Sequence, residues 1–193
     1  MRAPLVLASA SPRRASILRA LGLPFRVVVS SVVETVADGE EPGAAALRLA
    51  TEKAGDVART ETGPIVAADT MVVIDGAILG KPRSRDDAER MIRRLAGREH
   101  EVVTGVCVRA SGRVHGGVDR TVVRFARMSD AEIAWCVATE EPMDKAGAYH
   151  VEGRGGLFIE AIVGSPSNVA GLPVRLFYTL AETAGLSLTA EVA

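Results

Sequence analysis

The chain has 193 residues, of which 48% are hydrophobic, 24% charged and 4% aromatic, and its formal net charge is −1. A chain of this length can remove about 70% of its extended surface from water, which predicts one large folded domain or two small lobes that share a core. It has no low-complexity tract and no long run of like charge, so we expect no disordered tail. General nucleic-acid binding is disfavoured, because it requires a basic excess to neutralise phosphates and aromatic side chains to stack on single-stranded bases.

The sequence favours reduced cysteines, contains no recognisable metal-binding motif and has no predicted membrane helix. Cys107 and Cys136 are its cysteines, they form no CxxC motif, and we expect two buried thiols in a reducing compartment. The three histidines show no HExxH or other metal spacing. No apolar run approaches the ~18 residues of a membrane helix, and the first one is too short for a signal peptide. We therefore expect a cytoplasmic protein without membrane partners.

Strand-like and helix-like patterns alternate through the first half of the chain. Pro12 and Ser11 suit the first turn and the cap of the first helix, whose expected inner face is Ile17, Leu18 and Leu21. The pair Asp75-Gly76 is typical of a hairpin turn. The predicted elements are a strand over residues 5–8, a helix over 12–21, a strand over 26–30, a helix over 43–59, a strand over 65–68 and a hairpin over 71–79.

In the second half, two helices carry clear start signals. Ser84 with Asp87 resembles a capping box, and Ser129 with Glu132 forms a second one. The predicted elements are a helix from 84 to 97, strands over 99–109 and 114–127, a helix from 129 to about 139, a strand over 157–163 and a helix from 173 to about 185. No linker interrupts them, so we expect one α/β domain over residues 1–193, with a mixed sheet because helices and hairpins both occur.

Residues 9–14 read Ser-Ala-Ser-Pro-Arg-Arg, which places hydroxyls and two arginines at a predicted helix start. Backbone N–H groups at a helix N-terminus attract anions, and arginine presents paired donors that suit phosphate. The alternative is a capped helix with a solvated basic first turn. That alternative leaves cations at the positive end of the helix dipole without an offsetting anion.

Asp69 and Lys81 are further candidates for phosphate chemistry. Asp69 follows a buried apolar run, where a carboxylate must be paired, hydrogen-bonded or metal-bound. It is a candidate general base or magnesium ligand, or else a turn former before the next strand. Gly80-Lys81-Pro82 has neither the spacing nor the Ser/Thr of a Walker A motif, so we reject a P-loop. Lys81 is either a point charge for a phosphate or a surface lysine.

Glu34, Lys53 and two glycine-rich stretches complete the candidate residues. Lys53 lies beside Ala54 of a predicted apolar stripe and is expected to border the core, while Glu34 follows a Val-rich strand. Glycines in residues 144–156 and 164–173 permit close backbone approach to a ligand, or belong to ordinary loops. Several cations, two acids and no Ser–His pair suit a phosphate-bearing substrate attacked by metal-activated water.

These residues, in this order, resemble the Maf family of nucleoside triphosphate pyrophosphatases over nearly the whole chain, from Leu5 to about Gly185. The matching pieces are residues 9–14, Glu34, Lys53-Ala54, Ala68-Asp69-Thr70, Gly80-Lys81-Pro82, Thr104-Gly105-Val106, residues 144–149 and residues 164–173. The resemblance implies an inosine-triphosphatase-like α/β fold: a twisted mixed β-sheet flanked by helices, with two lobes and a central cleft.

The resemblance also implies hydrolysis of a nucleoside triphosphate at the α–β bond, with Mg²⁺ or Mn²⁺ as cofactor, in a homodimer that cleans the nucleotide pool. The implied catalytic residues are Asp69 as proton acceptor, Lys81 and Glu34, and the implied metal ligands are Asp69 and Glu34. The implied substrate-binding residues are Ser9, Ser11, Arg13, Arg14, Lys53, Thr70 and Glu152.

One position departs from the pattern of the branch that residues 144–149 resemble. That branch acts on dTTP and UTP and has Gln where this chain has Glu152. Gln both donates and accepts hydrogen bonds, as thymine and uracil require, whereas an ionised Glu only accepts. We expect dTTP and UTP as substrates. The alternatives are 7-methyl-GTP or another modified nucleotide, and a nucleotide-binding division regulator with little catalysis.

Overall fold

A computed structural model describes residues 4–189, and seven strands form a mixed sheet within this range. The strands are β1 (Leu5–Leu7), β2 (Phe25–Val27), β3 (Ile65–Ile74), β4 (Ala77–Leu79), β5 (Glu99–Ala110), β6 (Arg113–Phe125) and β7 (Ile159–Val163). Their order is β2-β1-β3-β5-β6-β7, with β4 paired to β3. Strand β1 runs parallel to β2 and β3, while the β3–β4 and β6–β7 pairs are antiparallel. The predicted mixed α/β sheet is confirmed.

Helices follow the predicted order, and the caps of α3 and α4 match the sequence signals. They are α1 (Pro12–Ala20), α2 (Pro42–Val57), α3 (Arg85–Leu95), α4 (Asp130–Cys136), α5 (Pro166–Val169) and α6 (Val174–Thr183). The hydroxyl of Ser84 accepts the N–H of Asp87, and Ser129 and Glu132 form the reciprocal capping box. Helix α5 was not predicted, because one turn is too short for a periodic pattern. Among residues 4–189, no helix has both the length and the apolarity to span a membrane.

Strand β3 is longer than predicted, and this changes the setting of Asp69. The strand does not end at Ala68 but runs for ten residues to Ile74, since the apolar residues after Thr70 continue the buried pattern. Asp69 therefore lies inside a strand, and its interpretation as a turn former is wrong. The predicted hairpin is confirmed: β3 and β4 are joined by Asp75 and Gly76, with φ of 53° and 72°, as a tight hairpin turn requires.

Helix α1 buries part of the predicted face. Leu18 is buried and Ile17 packs against the core as expected, but Leu21 is 42% exposed, and Arg14 and Ala15 take inward positions. Ser11 occupies the predicted N-cap position and Pro12 the first turn, but the Ser11 side chain makes no capping hydrogen bond. Apolar periodicity does not anticipate an inward arginine, because the partners that satisfy its guanidinium come from other segments of the chain.

The chain divides into two compact units. The first comprises the chain up to Asp69, Thr104–Asp119 and the chain from Gly171 onward, and the second comprises Thr70–Val103 and Arg120–Ala170. The core of the first unit includes Leu7, Leu18, Val66 and Phe177 in one cluster, and Val6, Ala50, Ala54 and Ile65 in another. The core of the second includes Val72, Ile92, Phe125, Ile133 and Tyr149. Both predicted thiols are free and buried. A single domain over residues 1–193 stays a prediction.

Gly105 allows β5 to pass against α2, and its replacement tests this contact. A Cβ at this position would lie 2.3 Å from the carbonyl carbon of Ala46 and 2.4 Å from the nitrogen of Leu47, both of which are backbone atoms. We expect Gly105→Ala to lower the free energy of unfolding by about 3 kcal/mol, measured by urea denaturation. The control is Gly55→Ala in α2, which has open space around it and should stabilise by about 0.5–1 kcal/mol. Equal stability of the two variants would contradict the close packing.

Candidate active site

Lys53 is a buried ammonium that joins two carboxylates in the first unit. It projects from the buried face of α2, between Ala50 and Ala54, and only 5% of the residue is exposed. Its Nζ donates hydrogen bonds to Asp69 Oδ1 at 2.5 Å and to Glu34 Oε1 at 2.6 Å. The prediction that Lys53 borders the core is confirmed, and its small alanine neighbours leave room for the apolar stem.

Asp69 is the most buried acid of this group. It is 7% exposed, and burial raises the pKa of its carboxyl above the ordinary value of 3.8. The charges of Lys53 and Arg14 oppose that rise, with Lys53 the larger effect. A carboxylate that is ionised by its partners, yet more basic than an exposed one, is suited to accept a proton from water.

Glu34 lies on the segment between β2 and α2, and its side chain is 44% exposed. Two residues of α2 anchor this segment on either side of Glu34. Asp56 Oδ2 accepts the Ser31 N–H at 2.8 Å, and Arg48 Nη2 donates to the Thr35 carbonyl oxygen at 3.0 Å. Asp69 is thus buried, whereas the side chain of Glu34 is accessible to solvent. Sequence reasoning missed both anchors, since nothing in their local pattern distinguishes them from surface charges.

Arg14 donates hydrogen bonds to two other segments of the protein. It is 9% exposed, its Nε donates to the Gly171 carbonyl oxygen at 2.8 Å, and its Nη1 donates to Ser9 Oγ at 2.9 Å. Ser9 Oγ also accepts the Ser11 N–H at 3.2 Å. Burial lowers the pKa of the Arg14 guanidinium, and the charge of Asp69 opposes this. Arg14 thus fixes the start of α1 and adds positive charge to the surroundings of Asp69.

The other predicted residues differ in exposure and in the unit to which they belong. Ser11 and Arg13 are half-buried at the N-terminus of α1, in the first unit. Thr70 is half-buried in β3, and Lys81 and Glu152 are exposed; these three belong to the second unit. The structure thus brings Ser9 together with Arg14, and Glu34 and Asp69 together with Lys53. The roles implied for the remaining residues stay predictions.

The segment before Lys81 is held by the glycine-rich stretch of residues 144–149. The Gly147 N–H donates to the Gly80 carbonyl oxygen at 3.1 Å, within the second unit. Gly147 has a φ of 71°, and a Cβ there would lie 3.0 Å from both methyl groups of Val72. This position therefore favours glycine for conformation and for space. The density of glycines in the sequence was the signal for such a close approach.

Asp69 and Glu34 fit a divalent cation that takes most of its ligands from phosphates and water. Mg²⁺ is commonly bound through one or two carboxylates together with substrate phosphates. The carboxylates of Asp69 and Glu34 lie close to each other, because Lys53 Nζ contacts one oxygen of each. Among residues 4–189, no three His, Cys, Asp or Glu side chains form a metal-binding group. The described chain thus offers a shared carboxylate pair and no complete protein cage.

Known proteins that resemble this chain decide its family. A family model described as Maf-like protein matches residues 4–184. The chain belongs to the Maf family. A relative from Anaeromyxobacter dehalogenans, named dTTP/UTP pyrophosphatase, is 51% identical over 97% of this chain and 97% of its own. A relative from Thermococcus onnurineus with the same name is 48% identical over 92% of this chain and 96% of its own. The resemblance to the Maf family is confirmed.

This Maf family member also shares its fold with a solved structure. The Staphylococcus aureus Ham1 protein superimposes with a TM-score of 0.53 at 14% identity, covering 94% of this chain and 99% of that one. At this identity the likeness shows the fold alone, and it confirms the predicted fold class. The central cleft that the Maf resemblance implies stays a prediction.

Proposed function

We propose that the chain hydrolyses nucleoside triphosphates at the α–β phosphoanhydride bond, releasing a monophosphate and pyrophosphate, with dTTP and UTP as preferred substrates. The observation that carries the proposal is the buried Lys53–Asp69 pair with Glu34 beside it. Hydrolysis of a phosphoanhydride bond needs positioning of the reactants and charge neutralisation more than a covalent nucleophile. The names of the relatives at 51% and 48% identity support the choice of dTTP and UTP.

In the proposed mechanism, Asp69 accepts the proton of the attacking water. The water oxygen bonds to phosphorus, the anhydride P–O bond breaks with its electron pair leaving on oxygen, and the proton passes to the Asp69 carboxylate. Lys53 keeps Asp69 ionised before the reaction through its 2.5 Å hydrogen bond. Burial makes the same carboxylate more basic, which raises the driving force for proton transfer.

We propose that Asp69 and Glu34 hold the divalent cation, Mg²⁺ or Mn²⁺. When bound, this ion neutralises phosphate charge and lowers the pKa of its water. Lys53 Nζ contacts one oxygen of each carboxylate and so fixes their mutual orientation. The buried Arg14 adds a second positive charge next to Asp69.

Further assignments belong to the same proposal and rest on the Maf resemblance. Lys81 neutralises phosphate charge as a catalytic cation, and Glu152 contacts the base. The remaining substrate-binding residues are Ser9, Ser11, Arg13, Arg14, Lys53 and Thr70. The proposed enzyme is a single Maf-like domain that acts as a cytoplasmic homodimer in cleaning the nucleotide pool.

A nucleotide panel with product identification tests the proposal. The purified chain is incubated with dTTP, UTP, CTP, dATP, GTP and 7-methyl-GTP, in Mg²⁺, Mn²⁺ or EDTA, and products are resolved by phosphorus NMR. We expect a monophosphate and pyrophosphate from dTTP and UTP, and no turnover in EDTA. A nucleoside diphosphate and orthophosphate as the primary products would overturn the proposal. Tight binding without turnover in any metal would favour the nucleotide-binding regulator.

Glu152 favours a second candidate substrate class, a purine or modified nucleotide such as 7-methyl-GTP. Its side chain is 77% exposed, and an ionised carboxylate offers only acceptors to a base. We expect Glu152→Gln to raise kcat/KM for dTTP and UTP about fivefold, the value of one added hydrogen bond. The control is Glu160→Gln, an exposed acid on β7. An unchanged substrate preference in Glu152→Gln would refute this account of the residue.

A further inference from the structure

Glu152 lies in a tight turn whose backbone is packed against its surroundings. The Gly153 N–H donates to the His150 carbonyl oxygen at 3.1 Å, and the Gly156 N–H donates to the Gly153 carbonyl oxygen at 3.0 Å. A Cβ on Gly156 would lie 2.3 Å from the Val151 carbonyl oxygen, so the chain folds back closely on the turn. The backbone of Glu152 is therefore constrained, although its side chain reaches solvent.

The Glu141 carboxylate binds the backbone of this turn. Its Oε1 accepts the Arg154 N–H at 3.2 Å. A Cβ on Gly153 would lie 2.0 Å from the same oxygen and 2.6 Å from the carboxyl carbon, so the carboxylate lies directly against the turn. Any side chain at Gly153 would displace Glu141, and loss of the carboxylate would leave the Arg154 N–H without this acceptor.

The Arg154 side chain joins the turn to α4. Its Nη1 donates to the Trp135 carbonyl oxygen at 2.7 Å, and its guanidinium carbon lies 4.4 Å from the centroid of the Trp135 ring. A guanidinium at this distance from an indole is attracted to the ring face. Helix α4 is itself fixed by the Ser129–Glu132 capping box. The contacts of Arg154 therefore fix the turn relative to the capped helix α4.

We propose that Glu141 and Arg154 form a clamp that sets the base preference by fixing the backbone of Glu152. The inference rests on the proposed function, in which Glu152 contacts the base. Discrimination between bases by hydrogen bonds requires donors and acceptors held to within about 0.5 Å. A constrained backbone limits the positions that the exposed Glu152 carboxylate can reach, and His150 Nε2 lies 3.9 Å from its Oε2. Glu141 and Arg154 act through Glu152 and are positioning residues.

The first test compares substrate preference across matched variants of the full chain. For Arg154→Ala and Glu141→Ala we expect the ratio of kcat/KM for dTTP over GTP to change about three- to tenfold, while kcat for dTTP stays within about twofold. Glu141→Gln keeps an acceptor oxygen and should retain the wild-type ratio. The control is Arg124→Ala, which removes a half-exposed arginine of the same unit from its pair with Glu160.

The second test asks whether the clamp acts through Glu152. In a Glu152→Ala background, adding Arg154→Ala should leave the dTTP/GTP ratio unchanged, because the residue that the clamp positions is already absent. A merely structural role for Arg154 would lower activity towards all nucleotides alike. The proposal is overturned if both alanine variants keep the wild-type ratio, or if Arg154→Ala shifts the ratio as strongly without Glu152.

Binding supplies a readout that does not depend on turnover. Trp135 is the single tryptophan of the chain, so its fluorescence reports the Arg154 stack directly. Titration with non-hydrolysable α,β-methylene analogues of dTTP and GTP gives their Kd ratio in each variant. Absence of turnover in the wild type would remove the proposed function, and the Kd ratio would then decide on the clamp alone. An unchanged Kd ratio in Arg154→Ala and Glu141→Ala overturns it.

Discussion

Replacing Asp69 with Asn is expected to lower kcat for dTTP about 10³-fold, since the amide has nearly the shape of the carboxylate but cannot accept the proton of the attacking water. The fold should persist. Asp69 is 7% exposed, and exchanging a buried charge for a neutral group removes a desolvation cost while Lys53 keeps Glu34 as a partner. Pyrophosphate release measures kcat, and calorimetry measures the melting temperature of both proteins.

The pH dependence gives the same prediction a second measurement. The reaction requires ionised Asp69, so kcat of the wild type falls as pH drops through the pKa of this carboxyl. Burial raises that pKa, and the acidic limb of the pH–rate profile should lie above 3.8. In Asp69→Asn the limb should be absent.

The control for Asp69→Asn is Asp86→Asn, an exposed carboxylate in the first turn of α3. Surface substitutions of this kind change free energies by about 0.5 kcal/mol or less, so kcat should stay within about twofold of wild type. Near-normal turnover in Asp69→Asn would exclude proton transfer to this residue and would leave Lys53 and Glu34 as an electrostatic pair only.

Elements with local signals were predictable from the sequence. Ser84 and Ser129 have side chains that satisfy backbone N–H groups within their own helix, so the cap needs no distant partner. Asp75-Gly76 likewise determines a hairpin through its own backbone preferences. Helices α3 and α4 and the β3–β4 turn therefore appear where the sequence predicts them.

Elements whose partners are distant in sequence were mispredicted. Arg14 is inward-facing because it bonds the Gly171 carbonyl oxygen, 157 positions along the chain, and no periodicity encodes that contact. The sequence predicts that the strand over residues 65–68 ends at Ala68, because an acidic residue after a buried apolar run is typical of a strand end. Asp69 is tolerated inside β3 because Lys53, 16 positions earlier, supplies an ammonium at 2.5 Å.

The residues of the candidate site were predictable from the sequence, but the contacts between them were not. Motif order selects Glu34, Lys53 and Asp69, whereas the structure shows that the lysine bridges the two acids. A net charge of −1 is compatible with this arrangement, because positive and negative groups are gathered locally. Asp56 and Arg48, which anchor the Glu34 segment, became evident only through their backbone contacts.

Removing the lysine is the second large effect that the geometry predicts. Lys53→Met retains an apolar stem of similar length but deletes the ammonium, leaving the buried Asp69 carboxylate without its 2.5 Å partner. Breaking a buried pair on one side typically costs about 3–5 kcal/mol, so we expect a loss of about 3 kcal/mol in unfolding free energy at pH 8. Urea denaturation measures this loss. Turnover should fall with it, since the orientation of both carboxylates is lost.

The sign of the pH effect follows from the pKa of Asp69. Lys53 is the largest influence opposing the effect of burial, so its removal raises the pKa of Asp69 further. A carboxyl whose pKa is higher in the folded state than in the unfolded state stabilises the fold at low pH and loses that contribution as pH rises. Lys53→Met should therefore regain stability, relative to wild type, as pH is lowered from 8 towards 5, and its residual pH–rate limb should move to higher pH.

A double variant separates the buried charge from the lost packing. Lys53→Met combined with Asp69→Asn removes both members of the pair, so no carboxylate remains buried without an ammonium at this position. Replacing both members of a buried ion pair by uncharged groups is often close to neutral for stability, and we expect the double variant to recover most of the loss seen in Lys53→Met. It should stay inactive, because Asn cannot accept the proton. A double variant no more stable than Lys53→Met would show that the ammonium stabilises the fold through something other than Asp69, and Glu34 would then be the partner to replace.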